Sequence, residues 1–315
     1  LASDGETRVA GTVTLRGTDA GGLRFAVDIG GDVTALVAPA YREFFGPDVQ
    51  LVAEGVRAED GALALETLDL DARSLSLSGS LALSAGGVPE RFSLTGRLAD
   101  PENGPVRLPV ATPLTIGAAD LSARYDAAGG ERWTLDIEAR DVISEAADIG
   151  AMTLEGGGTI SGGSGDLRVT AALDYAAYGL DLADEALAEA LGARIGGDAR
   201  IAWAANAPLS VERFTLGGSD YGLTVQGDAT FAERTLSLDG AAALTADDLS
   251  RFAALAGRPL EGAAELRVEG RGDVLGGTFD VPHGYCSCVM APSVLAFNEP
   301  ANGERQQRIR ACFGA

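Results

Sequence analysis

The sequence predicts a mainly β protein: an elongated, curled antiparallel β-sheet that forms a groove, with short interspersed helices. Three observations lead there. Apolar residues recur at every second position through most of the chain, which is strand spacing with one side greasy and the other wettable. The 43 glycines among 315 residues suit many turns and crowded bends better than helical bundles. Hydrophobic residues make up 46% of the chain, yet they are spread in alternation and never gather into an apolar run long enough for a transmembrane helix.

The pattern is clearest over residues 59–97. Leu63 and Leu65 alternate with small or acidic residues, then Leu68 and Leu70 with Asp69 and Asp71. Leu75, Leu77, Leu81 and Leu83 alternate with serines and Ala82, and Phe92 and Leu94 follow the Gly86-Gly87 turn. The leucines change from odd to even positions and back, so bends or turns are expected between the runs, because a slip of one residue swaps the faces.

Upstream, Val9, Val13, Leu15 and residues 23–29 give a hairpin around 19–22. Residues 32–45 are the first helical segment, with Asp32 as N-cap and an apolar stripe of Leu36, Val37, Ala40, Tyr41 and Phe44, stopped by Gly46-Pro47. Strands resume at residue 49. Residues 101–113, rich in proline and glycine, read as a loop or a poorly paired edge. The chain therefore divides into a β-repeat segment over 1–100, this loop, and a continuation of the groove over 114–281.

Within that continuation, strands are expected at 116–125, 132–139, 152–160 and 167–175, and short helices at 182–191 and 248–256. Strands at 214–216, 221–225, 229–231, 235–238, 263–269 and 277–281 repeat the opening pattern. Residues 45–55 resemble 256–270, and 191–203 is a looser third copy: a short helix ends at glycine and feeds a strand. Such repeats point to an elongated body whose neighbouring units complete one another's core. From Pro282 the alternation stops, and residues 282–315 read as a disordered or frameshifted tail. The first residue is Leu1, with neither an initiator Met nor a basic leader, so the chain is expected to be an internal fragment.

Charge and residue inventory exclude several functions. The 24 basic and 46 acidic residues give a formal charge of -22, a surface that repels phosphate backbones, so no nucleic-acid partner is expected. His283 is the single histidine, which rules out histidine-based triads; with Cys286, Cys288 and Cys312 it makes a nominal zinc set, but the Cys-x-Cys spacing is too short. There is no lysine and hence no Walker loop, and neither Gly156-Gly157-Gly158 nor Gly162-Gly163 opens a helix as a dinucleotide site requires. Acid pairs such as Glu59-Asp60, Asp69 with Asp71, Asp184-Glu185 and Asp247-Asp248 read as solvated faces or caps. No catalytic residue, cofactor or metal site is expected. Tyr41, Phe44, Phe45, Phe252, Trp133 and Trp203 are candidates for a binding rim, with core as the main expectation for the helical ones.

What remains is an extended apolar face. Left open, it would take acyl chains, because burial gains about 0.8 kcal/mol per CH₂. The interior candidates are Leu63, Leu65, Leu75, Leu77, Leu81, Leu83, Phe92, Leu94, Leu216, Leu223, Val225, Leu236 and Leu238. The passages at 30–55 and, above all, 247–270 resemble the helix-to-strand passages of the TamB family of translocation and assembly module proteins, of alphaproteobacterial type, to which the AsmA-like proteins are related. The resemblance covers residues 1–281.

It implies a β-taco with a hydrophobic interior, within a long periplasmic protein anchored in the inner membrane by an N-terminal helix absent from this chain. It further implies a partner outer-membrane TamA-type barrel, phospholipid acyl chains as clients, and a non-enzymatic role in outer-membrane protein assembly or phospholipid transfer. Two alternatives stand beside it. A structural or adhesive secreted β-solenoid would have a closed core, and a polysaccharide-active enzyme would need acids converging in a cleft.

Overall fold

A computed structural model describes residues 8–100, 102, 104–108, 110, 113–232, 235–273 and 278–280; the side chains of 231–236, 238 and 272–280 lie outside the description. It holds one sheet of seventeen strands. In order these are β1 (Arg8–Gly17), β2 (Leu23–Asp32), β3 (Val49–Arg57), β4 (Leu63–Asp71), β5 (Leu75–Leu83), β6 (Pro89–Ala99), β7 (Val106–Arg107), β8 (Leu114–Asp126) and β9 (Arg132–Ser144). There follow β10 (Ala147–Ser161), β11 (Arg168–Leu182), β12 (Arg194–Ala204), β13 (Leu209–Gly217), β14 (Tyr221–Ala232), β15 (Thr235–Ala246), β16 (Ala264–Asp273) and β17 (Thr278–Asp280).

Apart from β6 and β7, each strand pairs antiparallel with its sequence neighbour, so the sheet is one long meander, elongated and not closed into a barrel. The short β7 shares an edge of β8 with β6: β6 pairs along residues 118–126 and β7 along 115–116. The sheet thus continues directly from β6 to β8.

The shift of leucine parity within residues 63–70 needs no turn. Strand β4 is continuous, and a bulge between Leu65 and Leu68 absorbs one residue, so that Leu65 faces Leu81 and Leu68 faces Gly79. An extra residue restores the face that alternation would otherwise lose. Only the later shift, from Leu70 to Leu75, uses a turn, at residues 72–74.

The first helical segment is shorter than its apolar stripe suggests. Residues up to Asp32 belong to β2, a 3₁₀ turn covers Pro39–Tyr41, and α1 spans only Arg42–Phe45. Pro39 is the reason: it forces Ala38 into extended backbone (φ -60°, ψ 150°) and cannot sit inside an α-helix. Asp32 caps a turn instead, accepting from the Thr34 amide and hydroxyl, and of the stripe only Phe44 is buried while Leu36 and Tyr41 stay exposed. Helix α2 spans Glu185–Leu191, shorter than expected because β11 runs on to Leu182; Asp184 caps it by accepting from the Leu187 amide at 2.9 Å. A 3₁₀ turn over Leu249–Phe252, capped by Asp248, leads into α3 (Ala253–Ala256).

All three helices end at a glycine with positive φ, Gly46, Gly192 and Gly257, and each feeds a strand. In a meander alternate connections fall at opposite ends of the strands. The three helical connections and the 100–113 loop all fall at one end, and the other end carries tight turns.

Glycine lets neighbouring strands crowd together. At Gly158 a Cβ would lie 1.8 Å from the Thr170 carbonyl oxygen, and at Gly197 1.9 Å from that of Thr215. In both places the next strand turns a carbonyl over the glycine. We expect Gly158→Ala to destabilise the protein by about 1–3 kcal/mol, the usual cost of overpacking. Chemical denaturation should register it as a lower midpoint with an unchanged slope.

Candidate functional site

Register carries one side of the sheet unbroken from end to end. Reading opposed residues strand by strand, one row runs Val13, Val27, Ala53, Leu68, Gly79, Leu94, Ala123, Leu135, Gly156, Leu173, Ala199, Phe214, Val225, Ala242 and Val268. It crosses every strand except β7 and β17 without meeting a polar side chain. A second row, two residues nearer the tight-turn end, starts at Leu15 and Phe25, passes Leu65, Leu81, Phe92, Tyr125 and Trp133, and ends through Val211, Gly227 and Gly240 at Gly270. Directly opposed Cβ atoms lie within contact distance, and where a row meets glycine it meets no polar side chain, so each row is apolar throughout.

The reverse face is polar. Its central row includes Asp28, Asp69, Ser78, Thr95, Ser122, Asp136, Glu155, Asp174 and Asp198.

The apolar face is half-covered. Twelve hydrophobic residues are buried among the described residues, half of them alanines, and no large side chain is fully enclosed. Leu63, Leu65, Leu75, Leu77, Leu81, Leu83, Phe92, Leu94, Leu216, Leu223 and Val225 all stand on this face and are all half-buried. Leu238 and Leu236 take the register positions opposite Ala229 and Phe231, and their side chains lie outside the described residues. At the β1 edge Val13 and Leu15 are each 61% exposed. The densest packing, around Ile116, Ala139 and Val142, sits at the helix-bearing end.

Polar atoms on this face are taken up internally. Tyr125 Oη donates to the Ile160 carbonyl at 2.8 Å, Trp133 Nε1 to that of Thr170 at 3.0 Å, and Tyr175 Oη to that of Thr215 at 2.7 Å. Each donor reaches across an intervening strand to a carbonyl two strands away. The last two carbonyls are those turned over Gly158 and Gly197, so ring and glycine act together: the glycine makes room and the aromatic group satisfies the oxygen. The rings also pair, Phe92 with Tyr125 at 5.5 Å and Tyr175 with Phe214 stacked at 5.9 Å.

Sequence reasoning found the leucines of β4 to β6 and β13 to β15, but not the rest of the rows. Val27, Ala53, Leu135, Leu173, Phe214, Ala242 and Val268 follow the same alternation, and their place shows only once the register is known. Trp133 lies on the face with its indole bonded, and Trp203, opposite Val169, is 38% exposed. Phe252 packs edge-on to Tyr221 near α3, and Phe44 edge-on to Phe45 in α1, so these are packing residues of the helix-bearing end.

The acid pairs have local duties. Asp60 caps the β3–β4 turn through the Ala62 amide, Asp69 and Asp71 face away from the leucines, and Asp184 and Asp248 cap helical turns. No group of three or more metal-binding side chains occurs among the described residues, nor any helix long and apolar enough to cross a membrane. His283, Cys286, Cys288 and Cys312 lie outside the described residues.

Compared with protein-family models, curated proteins and solved structures, the chain has no match in any of the three. The geometry alone therefore characterises the site: an open, elongated, groove-like β-sheet with one continuous apolar face.

Burial pushes the hydroxyls of Tyr125, Tyr175 and Tyr221 above the ordinary tyrosine value of 10.0, with neighbouring acids adding to it and Arg251 partly offsetting it at Tyr221. Unfolded tyrosine ionises first, so the stability these hydroxyls contribute is fully present below about pH 10 and is lost as pH rises through the raised folded values. Absorbance titration should show Tyr125, Tyr175 and Tyr221 ionising above the ordinary tyrosine value, with stability falling over that same alkaline window.

Proposed function

We propose that this chain is a segment of a TamB-like, periplasm-spanning envelope protein, and that its apolar face carries phospholipid acyl chains between membranes. The observation that carries the reading is the pair of apolar rows that cross fifteen strands while most of their side chains stay half-exposed. An acyl chain laid on such a face loses water contact and gains about 0.8 kcal/mol per buried CH₂. Because every strand offers the same class of side chain, a lipid moving from one strand to the next exchanges like contacts for like. Sliding then meets no deep trap, and no nucleotide hydrolysis within this chain is needed.

Headgroups stay in water at the open edge. The three aromatic donors, already bonded to backbone, do not compete for a client. The protein is non-enzymatic in this reading, its parent is anchored in the inner membrane, and a TamA-type outer-membrane barrel is the partner at the far end. Supporting assembly of outer-membrane proteins would use the same face for an apolar strand in place of lipid. A sealed adhesive solenoid fits less well, since it would enclose the leucines that here remain half-open.

Photo-crosslinking tests the assignment. A benzophenone side chain placed at Leu77 or Leu223 should capture phospholipid, and one at Ser78 or Thr224, on the opposite face, should not. Equal capture from both faces, or capture from neither, would sink the transfer role. Leu77→Asp and Leu223→Asp should cut lipid transfer between vesicles by about tenfold or more while the far-ultraviolet spectrum holds, because a charge set in an apolar track costs several kcal/mol to cover with acyl chain.

A further inference from the structure

Among the described residues β1 bonds on one side only, to β2, which leaves the alternate N–H and C=O groups along its other side open. Edges of this kind are normally blunted by a proline, a bulge, a short length or a charge turned inward. β1 has none of these. It is ten residues long, keeps register with β2 from Arg8 to Gly17, and turns Val9, Gly11, Val13 and Leu15 to the apolar face. Nine of its ten residues are exposed, and Val13 and Leu15, which head the two apolar rows, are each 61% exposed. Val27 and Phe25, opposite them in β2, have a strand on both sides and are half-buried. What β1 lacks is the next strand.

The charge on β1 says what kind of strand fits. Arg16 stands directly opposite Arg24, a like-charge pair that weakens the seam. Glu66 relieves Arg24 at 3.1 Å, whereas Arg16 has no ion pair among the described residues. Arg8, at the other end of the strand, faces Asp32. Every other strand that carries an arginine carries an acid as well, save the two-residue β7. A second copy of this chain does not supply what is missing. β1 against β1 brings arginines to both sides of one seam and an acid to neither, between two bodies of formal charge -22.

We infer that the free edge of β1 docks an extended strand of a partner polypeptide, apolar at alternate positions and carrying a carboxylate opposite Arg16. Main-chain hydrogen bonds supply affinity without regard to sequence, Val13 and Leu15 pair with the apolar side chains of the incoming strand, and Arg16 selects its register. The inference concerns the edge and not the face, so it does not rest on the lipid-carrying reading.

A capped peptide as long as β1, of alternating threonine and valine with glutamate third, tests it. N-methyl groups on the alternate amides of one edge keep the peptide from assembling with itself and leave its other edge free to pair. Fluorescently labelled and titrated with the whole chain, it should bind about fivefold more tightly than the same peptide with arginine third, the effect of exchanging a repulsive for an attractive cross-strand pair. Arg16→Glu should reverse that preference. Arg16 is exposed, so the circular dichroism of the variant should match the wild type. A peptide N-methylated along both edges should not bind, because neither edge can then approach β1.

Equal affinity for the glutamate and arginine peptides, or a preference that Arg16→Glu leaves in place, overturns the docking edge. Undiminished binding of the doubly methylated peptide overturns it by showing adsorption to the apolar face instead. Failure of a monomeric chain to bind any of the peptides overturns it as well. A dimer in sedimentation that the glutamate peptide dissociates assigns the edge to a second copy and removes the partner strand.

Discussion

Everything in this molecule hangs on keeping one side-chain face in phase across a very wide sheet. Side chains alternate strictly along a strand, so one residue gained or lost inside it moves the apolar groups beyond that point in the strand to the wrong side. The chain meets this constraint locally. A bulge between Leu65 and Leu68 restores the phase inside β4, and one in β6 opposite Ala82 and Leu83 and one in β13 between Val211 and Phe214 do the same for their strands. Corrected this often, the apolar rows stay aligned from Val13 to Val268.

Crowding follows from the same design. Where the strands draw together, a carbonyl is turned over the neighbouring glycine and would be left without a donor on an apolar face. Trp133 and Tyr175 supply that donor from two strands away. Their rings also cover the glycines, which give the face no side chain of their own, so a single aromatic residue mends both a polar and a packing defect. Ionisation of the buried tyrosines is resisted for the same reason, as burial disfavours the charged form.

Much of this architecture was legible in the sequence, and the parts that were not have identifiable causes. The β class and the leucine face of β4 to β6 follow directly from alternation, and the repeated helix-to-strand passages at Gly46, Gly192 and Gly257 are present as read. The extent of the first helix was hidden because an apolar stripe at helical spacing outweighed Pro39, whose ring breaks that helix. The bulge in β4 was hidden because a bulge and a turn shift parity in the same way, and only cross-strand register tells them apart. The packing of Arg251 over Tyr221 and against Asp220 was out of reach, since it forms only when the turn before α3 folds back on the start of β14.

Because every strand bonds to the strands next to it in sequence, save that β6 passes over the short β7 to pair with β8, the body has few long-range closures to satisfy. Each hairpin can settle on the one before it as the chain emerges, and the cost of ordering is met a strand at a time. Such a topology also has no fixed size: a hairpin added or removed between two tight turns leaves the remaining pairings and both faces as they were. Reach therefore becomes a quantity that chain length alone can set, open to stepwise change without the invention of a new fold.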